Sequence, residues 1–189
     1  MEINKLFDVS GKVVVVTGGS RGIGEMITSG FLANGAKVYI SARKAPALME
    51  KAKELSEKYN GECIAIPCDL STLVGMDYFT QQITEKEKGI DLLINNAGAA
   101  WGEPLEDFSE TGWDKVMDLN VKSIFFLTQK LKSLLKTNAT IDDPSRVINI
   151  GSIDGLNVPA FETYSYSTSK AAVHHLTRVL ANKLVKEDI

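Results

Sequence analysis

Cysteine and histidine are scarce in this chain: there are two of each in 189 residues. Cys63 and Cys68 lie five positions apart with no third cysteine, and His174 and His175 are adjacent. That leaves neither a disulfide framework nor a zinc-ligand spacing, and it points to reduced, cytoplasmic residence. Long apolar runs are also missing. The longest are strand-sized, and residues 1–10 carry Glu2 and Asp8, so neither a signal peptide nor a membrane span is read. Without a secretory route, the sequon Asn138-Ala139-Thr140 is accidental. No charge of one sign dominates either: 21 Lys and Arg face 24 Asp and Glu, a balance of −3. Such a surface offers nucleic acid or anionic lipid no general attraction, although a local cationic patch stays open.

What is present suits a buried core. Hydrophobic residues make up 44% of the chain and charged residues 24%, which excludes disorder and fibrous repeats. At this length one domain over 1–189 is expected, and no linker or repeat interrupts it. Residues 13–17 form a β-branched run, a glycine-rich turn follows, and Met26, Ile27, Phe31 and Leu32 then recur at helical spacing. Further strands are predicted at 38–40, 62–67, 90–94 and 147–150, and helices over 48–59, 76–88, 113–135 and 164–185. The run 90–94 is almost continuously apolar, as a parallel strand covered on both faces requires. Five strands at helix-sized intervals predict right-handed crossovers and an α/β, Rossmann-like, doubly wound parallel sheet. It ends after the helix that follows the fifth strand, and its ligand crevice lies beyond the strands' carboxyl ends. A parallel α/β domain that binds no dinucleotide has the same periodicity, so the motifs must decide.

Gly18, Gly22 and Gly24 separate the first strand from the first helix. Small residues there let the backbone approach a pyrophosphate, whose charge the helix N–H groups stabilise; the alternative is an ordinary glycine-rich turn packed on the helix. After the second strand, where a dinucleotide fold usually places an acidic residue for the adenosine ribose, stands Ser41-Ala42-Arg43-Lys44. A carboxylate would repel a 2′-phosphate, whereas Arg43, with Arg21 and Lys44, can pair with it, so NADP is expected over NAD. The other reading is a solvated cationic pair at a helix start. Asp69 can accept from an adenine amino group, with Leu70 beside the ring, or it can cap the helix beginning near Ser71 or Thr72.

With these residues in place, the chain resembles the short-chain dehydrogenase/reductase family. Thr17-Gly18-Gly19-Ser20-Arg21-Gly22-Ile23-Gly24 is similar to its cofactor motif, and Asn95-Asn96-Ala97-Gly98 to its fourth-strand signature. Asn120, Ser152, Tyr166 and Lys170 fall where the family carries its catalytic Asn, Ser, Tyr and Lys. The resemblance spans nearly the whole chain. It implies cofactor contacts from Thr17, Gly18, Ser20, Arg21, Gly22, Ile23, Gly24, Ser41, Arg43, Lys44, Asp69, Leu70, Asn96, Ala97 and Gly98, and from Tyr166 and Lys170 at the reacting end. Thr17 is expected to anchor the region of Asn95 by hydrogen bonding.

Tyr166 and Lys170, four apart, share a helix face on which an ammonium lowers a phenol's pKa. The resemblance implies that Tyr166 protonates the developing alkoxide as NADPH gives hydride, or acts as phenolate base in the reverse direction. It also implies that Ser152 polarises the same oxygen, that Lys170 holds the nicotinamide ribose, and that Asn120 holds a water linked to the lysine. A buried, helix-bending Asn is the alternative at 120.

The expected activity is therefore NADP(H)-dependent interconversion of a ketone and a secondary alcohol. Residues 155–163 resemble 3-oxoacyl reductases, so 3-oxoacyl thioester reduction is one alternative; an inactive NADP-binding sensor or scaffold is another. Trp101, Leu105, Val158, Phe161 and Tyr164 are candidates for an apolar substrate pocket, with core or subunit packing as the competing role. Tyr164 stands six before Lys170 and points elsewhere on the helix, and His174 and His175 read as packing groups. The expected partner is a small-molecule ketone or alcohol, with no metal, nucleic acid or membrane. Members of the family pair through the two long helices, which implies a homodimer or homotetramer. Members also continue through a substrate-covering segment and two further strands, so the chain is read as C-terminally incomplete, with the edge of the fifth strand exposed.

Overall fold

Five short runs of β-branched and aliphatic residues set the centre of the molecule. The computed structural model describes residues 7–189; residues 1–6, part of the segment searched for a signal peptide, lie outside the described residues. The strands β1 (Val13–Thr17), β2 (Lys37–Ala42), β3 (Cys63–Pro67), β4 (Leu92–Asn95) and β5 (Arg146–Asn149) pair in parallel in the order β3-β2-β1-β4-β5. Between and after them run α1 (Gly22–Ala33), α2 (Ala45–Tyr59), α3 (Leu73–Thr84), α4 (Glu110–Met117), α5 (Ser123–Asn138) and α6 (Tyr164–Leu184). The chain winds outward from β1 to β3, then returns to place β4 on the other side of β1. That reversal opens a crevice between the carboxyl ends of β1 and β4, as the doubly wound reading requires.

Successive valines of β1 feed opposite layers. Val14 and Val16 pack with Leu32 of α1 and with Leu48 and Leu55 of α2. Val15 packs on the other face with Met76 and Phe79 of α3 and Leu127 and Leu131 of α5. Because both faces are covered, the strand is continuously apolar instead of alternating, and each fully buried aliphatic side chain contributes about 1.5–3 kcal/mol. Register then fixes the site: Thr17 lies beside Ser41, Val16 beside Ile94, and Asn95 beside Asn149. Gly18, Ala42, Asn96 and Ile150 consequently sit together along one edge of the sheet.

Three helices differ from expectation, the one expected over 48–59 by starting at Ala45. The helix expected over 76–88 runs from Leu73 to Thr84, because Thr72 is its N-cap and its hydroxyl accepts the Gly75 N–H at 3.0 Å. The helix expected over 113–135 is α4 and α5, joined by a π turn at Asp118–Lys122 in which the Ser123 N–H reaches Asp118 O five residues back. It begins at Glu110, where the Ser109 hydroxyl accepts the Gly112 N–H, and extends to Asn138. Apolar periodicity passes through a π insertion without a break, which is why the sequence pattern does not disclose it. Strand ends shift by one or two residues at β2, β3, β4 and β5.

Among the described residues β5 pairs with β4 alone, and Ile148 is 41% exposed. A groove of about 460 Å³ runs beside β5, lined by Val147, Leu180, Ala181 and Leu184 among others. No described helix is long and apolar enough to cross a membrane.

Candidate active site

A cleft of about 1040 Å³ opens at the carboxyl ends of β1, β2 and β4. Its wall includes Gly18, Ser20, Arg21, Ile23 and Gly24 from the first turn, Ser41, Arg43 and Lys44 after β2, Asp69 and Leu70 after β3, and Asn96, Ala97 and Gly98 after β4. Of the residues expected at the cofactor, these are brought together on one wall, while Thr17, Gly22, Tyr166 and Lys170 are not part of its lining. Thr17 ties β1 to the start of the 96–98 loop: its hydroxyl oxygen accepts the N–H groups of Asn96 at 3.0 Å and Ala97 at 2.9 Å. The Asn96 amide returns the link by donating to Thr17 O at 2.9 Å and Gly18 O at 3.2 Å. Gly18 takes a φ of +66°, and a Cβ on Gly24 would sit 2.1 Å from Gly18 O. The turn is therefore folded onto α1 as closely as backbone allows.

The wall suits an anionic dinucleotide. No side chain caps the first turn of α1, whose N–H groups face this turn. Arg21, Arg43 and Lys44 are exposed and form no ion pair with a carboxylate among the described residues. Asp69 lines the cleft, but it is not the cap that the alternative reading made it. Burial raises its carboxyl, but the N–H and hydroxyl of Ser71 bond to Oδ1 at 3.0 and 2.8 Å and, with the Arg43 charge, leave it below its ordinary range. Oδ1 is thus committed to the turn before α3, and the cap itself is Thr72. Lys51, which the sequence reading passed over, also reaches the wall but is held by Glu25 at 3.0 Å and Glu54 at 2.7 Å.

The reacting residues gather where β5 ends against α6. Lys170 is buried, and its Nζ donates to Ile150 O at 2.7 Å while lying 5.7 Å from the centre of the Tyr166 ring. Burial lowers the pKa of its ammonium. Ser152, two residues beyond Ile150, opens a 3-10 turn at Ile153–Gly155 by accepting the Asp154 N–H at 3.2 Å. That turn is docked on α6: a Cβ on Gly155 would lie 2.6 Å from the carbonyl carbon of Lys170. Asn120 is fully buried in the π turn, where its Oδ1 accepts the Ala99 N–H at 2.8 Å and its Nδ2 donates to Ala99 O and Ser169 Oγ, each at 2.9 Å. Gly155 and Ser169 were missed in the sequence reading; only their place inside motif-bearing segments could have singled them out.

The expected apolar pocket is not formed among the described residues. Leu105, Val158 and Phe161 are 64%, 97% and 78% exposed, and neither the core nor the two clefts described above take them in. Trp101 instead lies on Gly112 with the Lys115 ammonium 4.2 Å from its ring centre, and Tyr164 packs edge-on against Phe108 and donates to Glu162 at 3.1 Å. His174 fills the space that the missing side chain of Gly151 leaves, a packing role as expected, whereas His175 is exposed in this chain.

The family described as short chain dehydrogenase matches residues 12–189. A Pseudomonas aeruginosa relative, a rhamnolipids biosynthesis 3-oxoacyl-[acyl-carrier-protein] reductase, is 47% identical over 183 residues, or 97% of this chain and 71% of the relative. The solved Pseudomonas aeruginosa RhlG/NADP active-site complex superposes with a TM-score of 0.92 at 47% identity, over 97% of this chain and 71% of that one. L-Sorbose reductase from Gluconobacter frateurii, solved with NADPH and L-sorbose, gives a TM-score of 0.90 at 29% identity, over 97% and 68%.

Proposed function

The chain belongs to the short chain dehydrogenase family, and on that premise we propose that it is an NADP(H)-dependent oxidoreductase interconverting a ketone and a secondary alcohol, with Tyr166 as the proton-transferring group. The observation that carries this reading is the convergence of β5 and α6: Lys170 is clamped to Ile150 O beneath the Tyr166 ring, two residues from Ser152. When bound, the cofactor supplies the hydride. Arg43, Arg21 and Lys44 bind the 2′-phosphate, the turn from Gly18 to Gly24 takes the pyrophosphate at the start of α1, and Asn96 to Gly98 hold the wall beside the reacting end. Ser152 donates to the substrate carbonyl oxygen and Tyr166 gives that oxygen its proton. Lys170 spends one hydrogen on Ile150 O and keeps two for the cofactor ribose and for stabilising the phenolate.

Identity of 47% to a 3-oxoacyl reductase favours 3-oxoacyl thioesters within this class. The test uses the full-length protein with NADPH, a panel of ketones, ketoses and 3-oxoacyl thioesters, and the variant Tyr166→Phe. Turnover should fall at least about a hundredfold, with the NADPH Kd held within about twofold. Unchanged turnover overturns the proton role of Tyr166. NADPH binding without wild-type turnover of any panel member supports a sensor or scaffold instead.

A further inference from the structure

We infer that Ser169 is a positioning residue that locks the helical turn carrying Tyr166 and Lys170 to the cofactor-side loop at Ala99, through the carboxamide of Asn120. The inference rests on the proposed function above and adds a residue to it. Ser169 is fully buried between the two reacting positions. Its hydroxyl donates to Tyr166 O at 2.7 Å and accepts from Asn120 Nδ2 at 2.9 Å. A serine bonded to the carbonyl three residues back is ordinary on a helix. A second partner on another element, 49 positions away in sequence, is not explained by that habit.

Asn120 completes the link. Its remaining amide hydrogen goes to Ala99 O at 2.9 Å, and its Oδ1 takes the Ala99 N–H at 2.8 Å. A continuous path thus runs from the loop beside the cofactor to the backbone carbonyl of Tyr166, with both hydrogens of the carboxamide and the hydrogen of the hydroxyl engaged. Inside a buried setting such bonds are strengthened and an unpaired member is costly, so the path resists sliding of α6 against the 96–99 loop. Hydride and proton must reach neighbouring atoms of one carbonyl. The distance between loop and phenol is therefore what the reaction needs held, and small misplacements are expensive in rate.

Ser165 supplies the control. It lies on the same helix, is equally buried, and its hydroxyl has no partner, so Ser165→Ala removes a hydroxyl without opening this path. In the full-length protein, assayed with NADPH and the best substrate of the panel above, Ser169→Ala should lower kcat about tenfold, with KM and the NADPH Kd within about twofold. The isotope effect from deuterated NADPH should rise as chemistry becomes slower than product release. Ser169→Thr should restore kcat, Ser165→Ala should not change it, and Asn120→Ala with Ser169→Ala should lose less than the product of the single losses. If Ser169→Ala does not fold, Ser169→Cys, which keeps the size but bonds weakly, should show the same loss. A variant that melts earlier yet keeps wild-type kcat, or losses that simply multiply, would overturn the positioning role. An active Tyr166→Phe would overturn the proposed function, whereas an inactive Tyr166→Phe beside a fully active Ser169→Ala overturns this inference alone. Absence of wild-type turnover on the whole panel overturns both.

Discussion

Two glycines of α1 should respond in opposite ways to the same added methyl group. A Cβ on Gly24 would stand 2.1 Å from Gly18 O and 2.5 Å from Asn96 Nδ2. Carbon–oxygen contacts settle at about 3.3 Å or more, so roughly 1.2 Å must be found. Neither neighbour can yield easily. Gly18 O accepts from Asn96 Nδ2, the Gly18 N–H donates to Ser41 Oγ at 3.3 Å, and Asn96 is bonded back to Thr17. Overpacking of this kind costs about 1–3 kcal/mol. For a domain of this length that lowers Tm by roughly 2–12 °C. Gly30, six residues on, is exposed and has no atom within 4 Å of the same position, so Gly30→Ala should gain about 0.5–1 kcal/mol from helix propensity. Thermal unfolding followed by circular dichroism, with NADPH titrated by fluorescence, reads both effects. Gly24→Ala should lose stability and, if the proposed pyrophosphate site is right, weaken NADPH at least about tenfold, because the turn has opened. Gly30→Ala should melt higher with NADPH affinity unchanged. A Gly24→Ala protein matching the wild type in both measurements would refute the close-packing argument, and equal destabilisation by both variants would reduce it to a general helix effect.

Arg43→Ala should weaken NADPH about 10–100-fold and leave NADH within about threefold, since only the former brings a phosphate to that side chain; equal changes in the two dissociation constants would contradict it. The thiols of Cys63 and Cys68 are pushed up to about 12 by burial, helped at Cys68 by the Asp69 charge. Both thiols are only partly buried and Cys68 lines the cleft, so alkylation by iodoacetamide near neutral pH should be slow in the folded protein and much faster in denaturant, and native labelling as fast as in denaturant would refute the raised thiols. At the opposite end of the sheet the Lys12 ammonium bonds Asp143 and lies 3.1 Å from Asp91, and its bond to Asp143, opposed by burial and aided by Arg146, holds the Asp143 carboxyl below its ordinary 3.8. Because the folded value lies below the unfolded one, the stabilisation is complete above that range and is lost as pH falls through the folded value. Asp143→Asn should cost no more than about 1 kcal/mol near neutrality, the pair being half-exposed. Its deficit in a urea titration should vanish at acid pH, and a deficit that persists there would refute the assignment.

The layering of this molecule was readable because it is governed by short-range chemistry. Four consecutive valines followed by threonine have few alternatives to a strand covered on both faces, and the glycines of the following turn mark where the chain must approach itself. The wall of the cleft was readable for the same reason: register carries Thr17, Ser41 and Asn95 to one edge once the strands are parallel. What the sequence could not disclose lies in places where a local rule bends. The π turn at Asp118–Lys122 leaves the apolar rhythm of its neighbours intact. The docking of Gly155 on the backbone of α6 depends on a distance between two segments that no spacing encodes. Trp101, Leu105, Val158, Phe161 and Tyr164 were candidates for an apolar pocket or for packing, yet Leu105, Val158 and Phe161 remain open to solvent in this chain.

Asn120 shows why two readings of one residue can be parts of a single design. Read as a helix-bending residue, it explains the π turn: the widened backbone admits a carboxamide that satisfies both the N–H and the C=O of Ala99. Read as the holder of a water, it has no amide hydrogen to offer, since both are engaged by Ala99 O and by Ser169 Oγ, and it could hold one only through the second lone pair of Oδ1. In this structure the bonds of the side chain are those of a shape-setting residue. An aspartate at 120 would keep the bond from the Ala99 N–H but set a carboxylate against Ala99 O, and an alanine would leave the Ala99 N–H and C=O without their partners. Both hydrogens and the acceptor are required together, and among the small side chains an asparagine supplies that set.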